Sequence, residues 1–116
     1  MTKEEYENYI QALKGRGYKF CGSWYNDRPY YYKVIEYRED EDGDSRAVCQ
    51  LLFYLYETED NRFGKTYYSI EPVVMVSRNI EERLDFIISH PKRSIEECER
   101  IAKEFMKFVD IHINIK

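Results

Sequence analysis

No stretch of this chain approaches the ~18 consecutive apolar residues that would cross a bilayer. The opening "MTKEEYENYI" also lacks the apolar segment of a secretory signal, so neither a membrane nor an export role is expected. Cysteine is scarce and odd in number. Cys21, Cys49 and Cys98 stand far apart, which fits neither a disulfide framework nor a four-cysteine metal site. These features predict a reducing, cytoplasmic setting. Histidine is scarcer still, with only His90 and His112. There is no glycine-rich phosphate loop, no ribonucleoprotein-type aromatic octamer, no repeat and no low-complexity tract. Ligand spacing for structural zinc is missing too, so no metal and no cofactor is expected.

What the chain does have is acid, and tyrosine. At 116 residues it has the length of one domain, spanning 1–116, able to bury roughly 65% of its unfolded surface. Its net charge of −4 is unevenly spread. Basic and acidic groups balance in 1–17 and again in 78–116, whereas residues 18–77 carry seven basic against eleven acidic groups. A surface for the phosphate backbone shows the opposite sign, so nucleic acid is disfavoured as a partner. Apolar residues make up 43% of the chain, but twelve of these are tyrosines, and without them the share falls to about a third. Tyrosine must therefore supply part of the core, with rings at its rim where the hydroxyls find partners or water.

The pattern predicts an α+β domain of order α-β-β-β-β-α-α. Thr2 and Glu5 form a capping box, and Tyr6, Tyr9, Ile10 and Leu13 make one helical stripe that Gly15 or Gly17 ends. Four strand-like runs follow, Tyr18–Tyr25, Tyr30–Arg38, Ala47–Thr58 and Thr66–Val76, separated by short turn-rich links that favour an antiparallel meander. Asn79 and Glu82 then suggest a helix with Ile80, Leu84, Ile87 and Ile88 inward. Ser94 and Glu97 open a longer helix whose apolar face is Ile95, Cys98, Ile101, Ala102, Phe105 and Val109. The terminal alternation of Ile111, Ile113 and Ile115 suits a short C-terminal strand, with a helix end as the alternative. The simplest packing sets the helices on one face of the four-stranded sheet.

Parity then assigns faces. On the third strand Ala47, Cys49, Leu51, Phe53 and Leu55 should meet the helices, leaving Val48, Gln50, Leu52, Tyr54 and Tyr56 on the other side. On the fourth, Tyr68, Ile70, Val74 and Val76 should face inward, with Tyr67, Ser69, Glu71, Val73 and Met75 outward. On the first, Tyr18, Phe20 and Trp24 suit the core, with Lys19, Ser23 and Tyr25 outward. The consecutive Tyr30, Tyr31 and Tyr32 of the second strand leave its register open. The outer face would be tyrosine among small polar and aliphatic residues, a composition typical of recognition surfaces. Tyr25, Tyr32, Tyr54, Tyr56 and Tyr67 are the candidate partner-binding residues. The competing explanation is that tyrosine is simply a favoured strand residue, or that the N-terminal helix covers this face.

Other chemistries have less support. In "EDEDGD" the acids Asp40, Asp42 and Asp44 alternate as in a calcium loop, but the sixth and twelfth positions are Ser45 and Leu51 instead of glycine and glutamate. A solvated hairpin turn is the better explanation. Catalysis would need a cleft holding His90 or Cys98, yet Cys98 lies on an apolar stripe where an inert thiol is the norm. Single-stranded nucleic acid could stack on the tyrosines but would find no positive groove. The expected function is that of a small acidic non-catalytic domain, of adaptor, inhibitor or chaperone-like type. It would bind a protein partner, or a second copy of itself, through its tyrosine-rich sheet face.

Overall fold

A computed structural model describes residues 1–22, 28–39, 41–77, 83–88 and 94–112. The first element, α1 (Lys3–Gly15), begins with the expected capping box. The Glu5 amide donates to Thr2 Oγ1 at 3.1 Å, and the Thr2 amide donates to Glu5 Oε1 at 3.2 Å. It stops because Gly17 adopts a φ of +86°, open to glycine and costly for other residues. That turn lets the Tyr18 amide reach back to the Leu13 carbonyl at 3.1 Å and the Gly17 amide to Lys14 at 3.1 Å, closing the helix and burying Leu13 beside Tyr18.

Among the described residues five strands follow: β1 (Lys19–Cys21), β2 (Tyr30–Glu39), β3 (Ser45–Asp60), β4 (Lys65–Ser77) and β5 (Arg83–Ile87). They pair in chain order, every neighbour antiparallel, so the sheet is the expected meander with one strand more than the sequence suggested. The last element is α2 (Ile95–His112), whose start is capped by Ser94: the Glu97 amide donates to its Oγ at 3.2 Å.

Three expectations are corrected. The helix assigned from Asn79 is instead β5 over Arg83–Ile87. Leu84, Phe86 and Ile88 alternate as a strand while Leu84, Ile87 and Ile88 fit a helical stripe, and a short helix carries a nucleation cost that strand pairing against the free edge of Val73–Ser77 avoids. The first strand is shorter than Tyr18–Tyr25: it ends at Cys21, Phe20 is exposed rather than in the core, and Trp24 and Tyr25 lie outside the described residues. The terminal segment is helical as far as His112, because α2 simply propagates its backbone hydrogen bonds, and 113–116 lie outside the described residues.

Both helices lie on one face of the sheet. Phe53 of β3, fully buried, meets the rings of Tyr9 at 5.8 Å and Tyr18 at 5.4 Å, while Tyr6 packs on Tyr68 at 5.0 Å. From α2, Cys98, Ala102, Met106 and Val109 join Cys49, Leu51, Val74 and Val76 in the same core. Burial pushes the Tyr6 hydroxyl up to about 12, with Glu57 adding to the effect. This settles what α1 covers: its tyrosines fill the helix side, and among the described residues no helix packs on the other.

The two helices are tied at one end by charge. Arg16 holds Glu99 through Nε at 2.9 Å and Nη2 at 3.2 Å, with Glu96 at 3.3 Å. The Glu99 carboxylate is held below its usual value, first by the hydrogen bonds from Arg16 and then by the charges of Arg16 and Lys33, against the opposing pull of burial. A carboxylate lowered in the folded state stabilises the fold above the unfolded value, and that contribution is lost as pH falls through the folded one. Glu99→Gln should therefore lower the melting temperature by a few degrees at neutral pH, and the gap to wild type should close below about pH 4. A gap that stays constant into acid would assign the effect to packing.

Candidate functional site

The face opposite the helices is built row by row from the strand registers. Cys21, Tyr30, Tyr54 and Glu71 share one row, and Lys19, Tyr32, Leu52, Val73 and Ile87 the next. Tyr56 pairs with Ser69 and Thr58 with Tyr67, extending the face along the long β3–β4 hairpin. The triple tyrosine is thereby resolved. Tyr31 pairs with Phe53 and is buried on the helix side, whereas Tyr30 and Tyr32 turn outward.

The outward rings form one connected cluster. Tyr30 lies 5.3 Å from Tyr54 and 6.0 Å from Tyr32 between ring centroids, both tilted, the geometry that aromatic quadrupoles favour. Tyr30, Tyr32, Tyr54 and Tyr56 are half-buried, and Tyr67, farther out, is 55% exposed. Beneath them Leu52 and Val73 are only 3% and 4% exposed, although neither α1 nor α2 packs on this face. Parity set these two outward correctly. Val48, also outward by parity, is buried opposite the register shift of β2 at Glu36.

Polar groups hold the cluster's rim. The Arg28 guanidinium donates to the Tyr56 hydroxyl at 3.0 Å and sits 5.0 Å from that ring's centroid, and the Tyr56 hydroxyl donates to Glu71 Oε1 at 3.3 Å. Burial and the Glu71 charge raise the Tyr56 hydroxyl's pKa, against the opposing effect of Arg28. Arg83 grips Asp85 with two bonds of 2.8 and 3.0 Å, and Asp85, followed by Tyr54, raises the pKa of the guanidinium. Tyr30 is pushed up to about 12, first by its hydrogen bond with the Cys21 thiol and then by burial. Both shifts favour the neutral hydroxyl at Tyr56 and at Tyr30. Beside Tyr32 and Gln50 opens a depression of about 420 Å³, also lined by Lys19, Val34 and Tyr37.

Of the predicted site residues, Tyr32, Tyr54, Tyr56 and Tyr67 share this face, and Tyr25 lies outside the described residues. Sequence reasoning did not single out Tyr30, Arg28, Glu71 or Cys21. Two of them carried a signal: Glu71 stands on the outward face by parity, and Tyr30 is the tyrosine two positions before Tyr32.

The other candidates fare as follows. Cys98 is fully buried in the core and hydrogen-bonded with the Tyr9 hydroxyl, while His90 lies outside the described residues. Cys49 is pushed up to about 11, first by burial and then by Glu36. None of the three cysteines is in a disulfide. Among the described residues, no group of three histidine, cysteine or acidic side chains is arranged to hold a metal, and no helix is long and apolar enough to cross a membrane. The acidic turn joins β2 to β3 through Gly43 at φ +82°, and the acidic end of β3 lies at the opposite end of that strand. No protein-family model, no curated protein and no solved structure matches this chain.

Proposed function

We propose that this domain binds another protein through the sheet face carrying Tyr30, Tyr32, Tyr54, Tyr56 and Tyr67, without catalysis, in the manner of an adaptor, inhibitor or chaperone. One observation carries the reading. Both helices pack on the same side, and the other face, which carries no helix among the described residues, sets half-exposed aromatic rings over a buried aliphatic floor. Rings held by their neighbours lose little entropy on binding, and hydroxyls and guanidinium groups at the rim supply directional bonds. The mixture of Arg28, Arg83, Glu71 and Asp85 at that rim suits a protein surface better than a polyanion. Three thiols, none of them in a disulfide, are in keeping with a reducing compartment such as the cytoplasm.

The test is site-specific photocrosslinking in the native host. A photoreactive residue at Tyr54 should yield one dominant adduct with a different protein, and the same residue at Lys103, exposed on the helix side, should yield none. Equal adducts at both positions, or none at Tyr54, would remove the proposal. An adduct with a second copy of this chain would redirect it to self-association.

A further inference from the structure

The sheet ends on β5, and that edge is unlike an ordinary one. All five of its residues are exposed, although three of them are Leu84, Phe86 and Ile87. The Ile88 amide donates to the Pro72 carbonyl at 3.0 Å, so in this antiparallel ladder Leu84, Phe86 and Ile88 turn their backbone groups toward β4. Arg83, Asp85 and Ile87 turn theirs outward. Among the described residues no strand pairs with that outward row. Solvated edges are usually blunted by lysine, proline or a bulge. Within Arg83–Ile87 there is none of these, and the single cation is neutralised by Asp85.

On the helix side the edge continues into an aromatic ridge. Phe86 stacks on Phe105 at 4.6 Å and Phe105 on Phe108 at 6.3 Å, with Leu84, Phe86 and Phe108 all exposed. Open backbone groups and apolar side chains thus coincide.

The order of residues says what fits there. A two-fold antiparallel pairing centred on Leu84 sets Arg83 opposite Asp85 of the second copy, and Asp85 opposite Arg83. Both pairs have outward backbone groups, as a hydrogen-bonded rung requires. Leu84 then faces Leu84 of the other copy and lies diagonal to its Phe86. Centring on Asp85 would oppose two carboxylates, and centring on Phe86 would set Asp85 against Ile87. Of these three registers, only the one centred on Leu84 sets opposite charges across the axis. We propose that two copies of this chain associate through β5 in this register, forming one continuous sheet. The tyrosine faces of both copies then lie on the same side, so a dimer presents two binding surfaces side by side.

Sedimentation equilibrium across ~1 to ~200 µM is the experiment, since an interface at the small end of the stable range gives micromolar affinity. Wild type should be dimeric at the upper end. Arg83→Asp sets acid against acid across the axis, and Asp85→Arg sets base against base. Each should weaken association at least about tenfold, and the double exchange Arg83→Asp with Asp85→Arg should restore it. Asp85→Pro removes an outward amide and none of the bonds to β4, so it should give a monomer that still melts cooperatively. If that variant fails to fold, the charge exchange still decides. A wild type that stays monomeric overturns the proposal, as does a dimer that survives both single reversals. A dimer lost on Tyr54→Ser but not on Arg83→Asp overturns it as well, and would move self-association to the tyrosine face.

Discussion

Phe53→Ala should destabilise this domain by about 3–5 kcal/mol, the cost of removing a fully buried phenylalanine. Small domains have only about 5–15 kcal/mol in total, so the variant is expected to lose most of its cooperative transition. The position is chosen on geometry. Phe53 is fully buried at the centre of β3, and its ring is the meeting point of Tyr9 from α1 and Tyr18 just before β1. Truncation strips a partner from both tyrosines at once, and neither ring can follow, because one is anchored by its helix and the other by the Leu13–Tyr18 closure. Chemical denaturation followed by circular dichroism checks it. A loss below about 1 kcal/mol would mean that the helices rearrange to refill the space.

Tyr54→Ser should weaken partner binding by about thirtyfold, corresponding to ~2 kcal/mol for an aromatic anchor near the middle of an interface. Tyr54 is the candidate anchor because it touches Tyr30 and stands beside the buried Leu52, whereas Tyr67 lies farther along the hairpin. Adding Tyr67→Ser should lower affinity further by a smaller factor, since a more exposed ring has less to lose. Both variants should keep the melting temperature within a few degrees of wild type, because the helix-side core does not include either ring. Calorimetric titration against the crosslinked partner provides the measurement. If the double variant unfolds, these rings belong to the core and the face is structural.

The two predictions draw on opposite sides of the same strand. The helix side of β3 is an ordinary core, and its failure would be global. The other side is a surface that the fold does not need fully exposed or fully covered, and its failure should be confined to recognition. The β5 edge adds a third contact, one whose disruption should change mass while the helix-side core stays intact.

Much of this was legible from local signals. The capping box at Thr2 and Glu5, the cap at Ser94, and the two-residue alternation of Leu51, Phe53 and Leu55 each depend on residues a few positions apart, and each is realised as expected. Parity on β3 and β4 likewise assigned Tyr54, Tyr56 and Tyr67 to one side. What the sequence left open are choices between equally good local patterns. Leu84, Phe86 and Ile88 satisfy a strand as well as Leu84, Ile87 and Ile88 satisfy a helix, and the unpaired backbone of Val73–Ser77 selected the strand. Tyr30, Tyr31 and Tyr32 could enter the core in either register, and the pairing of Tyr31 with Phe53 chose the middle one. Which face α1 covers was undecidable from its own stripe, because a stripe states how much surface must be buried but not against what. Its tyrosines met Phe53 and Tyr68, which placed α1 on the helix side and away from the face carrying Tyr30 and Tyr54.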